Sequence, residues 1–270
     1  MIKILVVGGV AIDTIVRNGK RCEVAGGAGV YTALAAVACG AEVSLLALRP
    51  EPLPLVLMSF ASRLSSWQGP PIPARELSHF EIGLDADLPS FRVVNMGPEE
   101  RLTMDMLPDD IHRFDCVHVT PVSGAARQLE FVRALKRQRA KKISAGTFIH
   151  EIKNHPNKML EAISLVDYFF MNEYEATTLF GSLERAHTHK GGNLFVTLGG
   201  EGVMIIQDEK QFRLSAEQVE EVDPTGAGDV FCGSVLAHMA AGFSIQQAAR
   251  EGMKLAADKV RRINSVDHLK

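Results

Sequence analysis

The segment Glu220-Glu221-Val222-Asp223-Pro224-Thr225-Gly226-Ala227-Gly228-Asp229-Val230-Phe231 joins a polar, glycine-rich turn to an apolar helical pattern predicted over Ala227–Ala241. The first N–H groups of a helix have no partner inside it and carry partial positive charge. Two glycines let an oxyanion approach that backbone closely. Asp229 falls in the first turn, beside the place such an anion would rest. A carboxylate there can take the proton of an attacking hydroxyl while the N–H groups hold phosphoryl oxygens. The plainer reading is an acid near a helix start that merely favours the dipole. The segment alone does not choose between them.

Working outward, two further strings lie upstream. Asn172-Glu173-Tyr174-Glu175 follows the apolar strand Tyr168–Met171. Carboxyl ends of strands face the ligand crevice in a doubly wound sheet. Asn172 and Glu175, three apart, share one side of the first helical turn. An amide and a carboxylate suit Mg²⁺, which keeps most of its waters. The same spacing also makes a helix capping box, and both roles can coexist. Thr197-Leu198-Gly199-Gly200-Glu201-Gly202 lies between the strands Leu194–Thr197 and Val203–Gln207. Its glycines permit a tight turn near a nucleotide, or a plain strand connection. No Gly-x-x-x-x-Gly-Lys-Ser/Thr string occurs, which disfavours a P-loop NTPase.

Strand and helix patterns alternate along most of the chain. Ile2–Val7, Glu42–Leu48, Cys116–Thr120 and Lys142–Ala145 read as strands, with a further strand at Gln211–Leu214. Ala28–Cys39, Leu53–Trp67, Ala125–Arg139, Asn157–Leu165, Glu173–Phe180 and Ile245–Ile263 read as helices, the last with Ser244 as N-cap. This alternation predicts an α/β fold with a mostly parallel sheet and helices on both faces. Thr14–Val24 and the pieces His79–Ile82, Phe91–Asn95 and Arg101–Met106 read instead as antiparallel ribbon. They predict a small lid, formed by about 14–25 and 88–106, on a single domain spanning 1–270. Asp13 is read as the end of the first strand, placed to accept hydrogen bonds from substrate hydroxyls. Gly26-Gly27 opens the first long helix and lets a polyol approach the backbone, or simply turns the chain.

The 270 residues are 46% hydrophobic and 23% charged, with a net charge of −3. That composition excludes a disordered chain and gives no basic excess for nucleic acid. The clusters at Lys136–Lys142 and Lys259–Arg262 sit at helix ends, where positive charge complements the dipole. The four cysteines form no CxxC pair, so free thiols in a reducing compartment are expected. No apolar run reaches the ~18–20 residues of a membrane span. A cytoplasmic protein is expected, without a membrane partner, as a monomer or a homodimer.

Taken in order, Asp13, Gly26-Gly27, Asn172-x-x-Glu175, Thr197-x-Gly199-x-x-Gly202 and Asp223-Pro224-Thr225-Gly226-Ala227-Gly228-Asp229 resemble the PfkB, or ribokinase-like, carbohydrate kinase family. The resemblance covers nearly the whole chain. It implies a ribokinase-like three-layer α/β sandwich with a β-lid, and ATP-dependent phosphorylation of an alcohol. It implies Asp229 as the catalytic base, with Gly226, Ala227 and Gly228 as the anion hole. Asn172 and Glu175 match the pair that organises Mg²⁺ through water. Asn172, Thr197, Gly199, Gly202 and Thr225 match the nucleotide side; Asp13, Gly26, Gly27 and Tyr31 match the substrate side.

The chain also departs from the family. Tyr31 stands where sugar kinases often carry Asn, and Ser144-Ala145-Gly146-Thr147 replaces an Asp-x-Asn type string. Tyr31 either stacks on a substrate ring or packs in the lid. His118-Val119-Thr120-Pro121 is more like compact members, including inositol-type kinases. A monovalent-cation requirement and the acceptor, whether sugar, cyclitol or nucleoside, stay open. Two other readings compete: a non-catalytic ligand-binding protein on the same fold, and an NAD-dependent oxidoreductase built on Gly26-Gly27-Ala28-Gly29. The latter lacks a full Gly-x-Gly-x-x-Gly string and a good preceding strand.

Overall fold

The computed structural model describes residues 1–84, 90–208 and 210–262. The first β-branched run forms β1 (Lys3–Val7). A hairpin follows, β2 (Ala11–Arg17) and β3 (Lys20–Gly26), and then α1 (Ala28–Ala38). Gly40, at φ 84°, closes that helix as its pattern predicts. Next come β4 (Glu42–Leu46), β5 (Arg49–Glu51), α2 (Leu55–Ser62), β6 (Ser66–Gln68), β7 (Pro71–Pro73), β8 (Ser78–Gly83) and β9 (Ser90–Asn95). The alternation then resumes with β10 (Cys116–Val119), α3 (Gly124–Arg137), β11 (Ile143–Gly146), α4 (Ile149–Asn154), α5 (Pro156–Leu165), β12 (Tyr168–Asn172) and α6 (Glu173–Phe180). The remainder is β13 (Asn193–Thr197), β14 (Val203–Gln207), β15 (Lys210–Leu214), α7 (Ala227–Ala240) and α8 (Ile245–Val260).

Among the described residues, nine strands make the main sheet, in the order β15-β14-β13-β12-β11-β10-β1-β4-β6. From β13 to β6 every pair is parallel; β14 and β15 close one edge antiparallel. In β10 and β11 every residue is buried, as strands covered by helices on both faces require. Helices α1, α7 and α8 pack together; α3 packs with α5, and α4 with α6. The result is a ribokinase-like α/β fold with a mostly parallel central sheet.

The second sheet has the order β3-β2-β8-β9, with β2 and β8 parallel and the outer pairs antiparallel. It is the small sheet expected to serve as the lid, and is called the lid below. β5 and β7 pair separately.

Several expected elements differ. Arg101–Met106 holds no strand; Glu99–Arg101 and Met104–Met106 are 3₁₀ turns that anchor Leu102, which is fully buried. Leu53–Trp67 is not one helix. It stops at Ser62, and Ser66–Gln68 becomes the edge strand beside β4, with Trp67 edge-on to Phe60 at 5.5 Å. Asp13 does not end the first strand. β1 stops at Val7, before Gly8-Gly9, and Asp13 lies within lid strand β2 opposite Val24. Ile263 of the last expected helix and residues 88–89 of the expected lid lie outside the described residues. No described helix is long and apolar enough to cross a membrane.

Candidate functional site

The site lies at the carboxyl ends of β10 to β13, facing the start of α7. Gly226 is the N-cap of α7, with φ 73°, a left-handed conformation that suits glycine. A Cβ there would meet the Tyr31 ring at 2.5 Å, so the aromatic ring and the turn approach each other without room for a side chain. Tyr31 is 3% exposed, which assigns it to packing under the turn and away from a stacking surface. No side chain caps α7. The Ala227 N–H donates to the Pro224 carbonyl at 3.1 Å. Of the expected anion-hole residues Gly226, Ala227 and Gly228, Ala227 therefore has its N–H engaged within the turn.

Two cavities meet here. The larger, about 530 Å³, runs from Thr197, Gly199, Gly200 and Gly202 to the apolar face of α8 at Met253, Ala256 and Ala257. The smaller, about 200 Å³, is bounded by His118, Gly146, Thr147, Glu175, Asp229 and Cys232. Asn172, Thr197, Pro224, Ala227 and Gly228 line both. Asp229 is partly exposed on the smaller one, and burial pushes its carboxyl up to about 7.

Asn172 and Glu175 form a full capping box. Asn172 Oδ1 accepts from the Glu175 N–H at 2.8 Å, and Glu175 Oε2 accepts from the Asn172 N–H at 2.9 Å. Glu175 is 5% exposed. Burial raises its carboxyl to about 7, and the nearby Asp229 adds to that rise. The cap occupies one oxygen of each side chain, so a metal here would be held through water and by the nucleotide's own phosphates. Among the described residues no group of three His, Cys, Asp or Glu side chains converges to hold a metal.

Asp13, Gly26, Gly27 and Tyr31 line neither cavity. Asp13 packs its carboxylate over Gly26, where a Cβ would meet it at 2.1 Å. It is 3% exposed, and among the described residues its Oδ1 has no hydrogen-bond partner. Burial raises its carboxyl to about 7, Asp223 raises it further, and Lys259 opposes both. Thr225 directs its N–H to Asp223 Oδ1 at 2.9 Å, in a turn of its own.

Sequence reasoning missed three supporting residues. Lys259 was assigned to a helix-end dipole; instead it is fully buried against Asp223 at 3.0 Å. Its signal is its register, seven residues after buried Gly252 on the inner stripe of α8. Gln128 Nε2 donates towards the carbonyls of Val119, Thr120 and Gly146 at 2.7–3.1 Å, tying the ends of β10 and β11. His118 shares a 2.9 Å hydrogen bond with Ser144 Oγ. Burial lowers its imidazole to about 3, so it is a neutral wall of the smaller cavity and no acid or base at neutral pH. The oxidoreductase reading loses its basis as well: the strand before Gly26-Gly27 is β3, an antiparallel lid strand, and no βαβ unit starts there.

The family described as "pfkB family carbohydrate kinase" matches residues 106–269, and the chain belongs to that family. It is an ATP-dependent carbohydrate or nucleoside kinase. Cytidine kinase of Thermococcus kodakarensis is 26% identical over 272 residues, covering 97% of each chain. Among solved structures, adenosine kinase from Sinorhizobium meliloti superposes with a TM-score of 0.83 at 18% identity, over 97% of this chain and 94% of that one. A putative ribokinase II from E. coli, in complex with ATP and Mg²⁺, gives 0.80 at 18% identity, over 100% and 96%.

Proposed function

We propose that the chain transfers the γ-phosphoryl group of ATP to a hydroxyl of a small polyol, with Asp229 as general base. One observation carries this reading. Asp229 stands in the first turn of α7 where the two cavities meet, beside the N–H groups of Gly228 and its own backbone. The larger cavity, lined by the Gly199–Gly202 turn and the apolar wall of α8, suits a purine nucleotide; its γ-phosphate would then reach the start of α7. The acceptor hydroxyl approaches from the lid side. Its oxygen bonds to phosphorus, the bridging bond to ADP breaks, and its proton passes to Asp229. A carboxyl held near 7 is matched to that task at neutral pH.

Asp13, with one orphaned buried oxygen, is suited to accept a hydrogen bond from a second acceptor hydroxyl. Gly26 and Gly27 leave the backbone open beside it. Asn172 and Glu175 fit a hydrated Mg²⁺, which when bound would neutralise charge on the phosphates. The full-length likeness to a cytidine kinase favours a nucleoside as acceptor, ahead of a free sugar or a cyclitol.

The test is ADP release with Mg²⁺ and ATP over nucleosides, sugars and inositols, for the parent and for Asp229→Asn. The variant should keep ATP binding and lose about 10²–10⁴-fold in kcat. The parent's rate should rise with pH through about 7, as the base ionises. A near-normal rate in the variant would remove Asp229 from the role.

A further inference from the structure

The ammonium of Lys259 lies behind the site and lines neither cavity. It is fully buried, as is its partner Asp223 at 2%. Nζ donates to the Asp223 carbonyl at 2.8 Å and sits 3.0 Å from Asp223 Oδ2. The next residue, Val260, accepts the N–H groups of Val222 and Asp223 at 2.8 and 3.0 Å. The last turn of α8 thus grips the N–H, the carbonyl and the side chain of one residue, Asp223, together with the N–H of Val222 before it.

That grip passes to the reacting groups through short links. Asp223 Oδ1 holds the Thr225 N–H, and the Pro224 carbonyl holds the Ala227 N–H. Gly226 turns left-handed between them against the Tyr31 ring. The Gly228 and Asp229 N–H groups follow directly. The ammonium also lies 5.8 Å from the centroid of the Tyr31 ring and near Asp13. A lysine in the last turn of a helix ordinarily reaches solvent; this one is spent on an interior carbonyl and carboxylate. A buried charge is costly unless paired, and its loss strands the partner.

We infer that Lys259 is a built-in cation, a positioning residue that fixes the Asp223–Gly228 turn, so that the reaction needs no potassium or other monovalent ion. This rests on the phosphoryl-transfer reading above. The carbonyl and carboxylate that a small dissolved cation would seek in this turn already hold an ammonium, tethered by a chain that cannot diffuse away.

The experiment pairs a salt series with one variant. The parent enzyme, assayed with Mg²⁺, ATP and its best acceptor, should turn over equally in tetramethylammonium and in potassium at matched ionic strength. Lys259→Ala should lose about 10²-fold in kcat, the scale of a small misplacement remote from the chemistry. Its KM for ATP should move much less. Ammonium or ethylammonium should restore part of the rate, and tetramethylammonium, which has no N–H, should not. A parent that depends on potassium, or a folded variant whose lost rate no N–H cation restores, overturns the proposal. If the variant does not fold, the parent's salt series decides alone. If no acceptor is ever phosphorylated, the transfer reading fails separately. Melting curves then carry the same contrast: a Lys259→Ala midpoint raised by ammonium and not by tetramethylammonium supports the clip, and equal midpoints in the two salts overturn it.

Discussion

In the main sheet Val117, Phe169, Phe195 and Ile205 are wholly inaccessible, whereas in the lid strand β9 Phe91 is 66% exposed and Val93 49%. The main sheet belongs to one continuous core that includes α1, α3, α7 and α8. The lid has its own small cluster of Ile15, Val24 and Ile82. At its inner end the lid joins the main core through Ala25 and Ile12; its outer end is held by strand pairing and by surface contacts such as Phe80 stacked on Phe91 at 5.4 Å. Few buried contacts mean low local stability. On the assignment proposed above, the turn before α7 adjoins the main core and Asp13 lies at the buried inner end of the lid, while the lid's exposed strand β9 is the least anchored part.

Three substitutions put the difference between core and lid to the test. The largest effect belongs to Phe195→Ala. Phe195 stacks on Phe170 at 4.7 Å, and Phe231 meets both edge-on at 6.1 Å, forming the floor that joins β12, β13 and α7. Its truncation should cost about 3–5 kcal/mol in denaturant unfolding. A loss under about 1 kcal/mol would mean that the core is softer than its burial indicates.

A middle effect is expected at Asp13, and it depends on pH. The folded chain holds this carboxyl at about 7, above its ordinary value, so between about pH 4 and pH 7 the folded state keeps a proton that the unfolded state releases. Stability from this group is full at low pH and is lost as pH rises through that window. Asp13→Asn removes the loss, so its stability relative to the parent should grow by on the order of 1–3 kcal/mol from pH 4 to pH 7 in the absence of ligand. Parallel melting curves at all pH values would refute the raised carboxyl. The smallest effect is Phe91→Ala on the outer lid, expected within about 0.5 kcal/mol. A large drop there would show the exposed strand to be covered in solution.

The main sheet was readable because its strands are continuous apolar runs and its helices carry periodic stripes and caps. The capping box at Asn172 and Glu175 and the Ser244 cap follow from local sequence alone. What escaped was decided by tertiary contact. Arg101–Met106 alternates like a strand, yet no strand lies beside it to pair with, and its apolar residues dip inward through 3₁₀ turns. Asp13 was recognisable as a site candidate but not as a lid residue, because Gly8-Gly9 breaks an apolar run that looks unbroken. Lys259 was hidden by its own charge: a basic residue at a helix end reads as solvated until its buried partner, 36 positions away, is known.

The residues around the turn come from opposite parts of the chain. Asp13 and Tyr31 are made first, and Lys259 is made some 230 residues later. Until α8 is in place, Asp13 and Asp223 have no ammonium beside them, and the turn from Asp223 to Gly226 lacks the clip proposed above. The order of synthesis thus puts the partner of both carboxylates on a stretch of chain made after either of them.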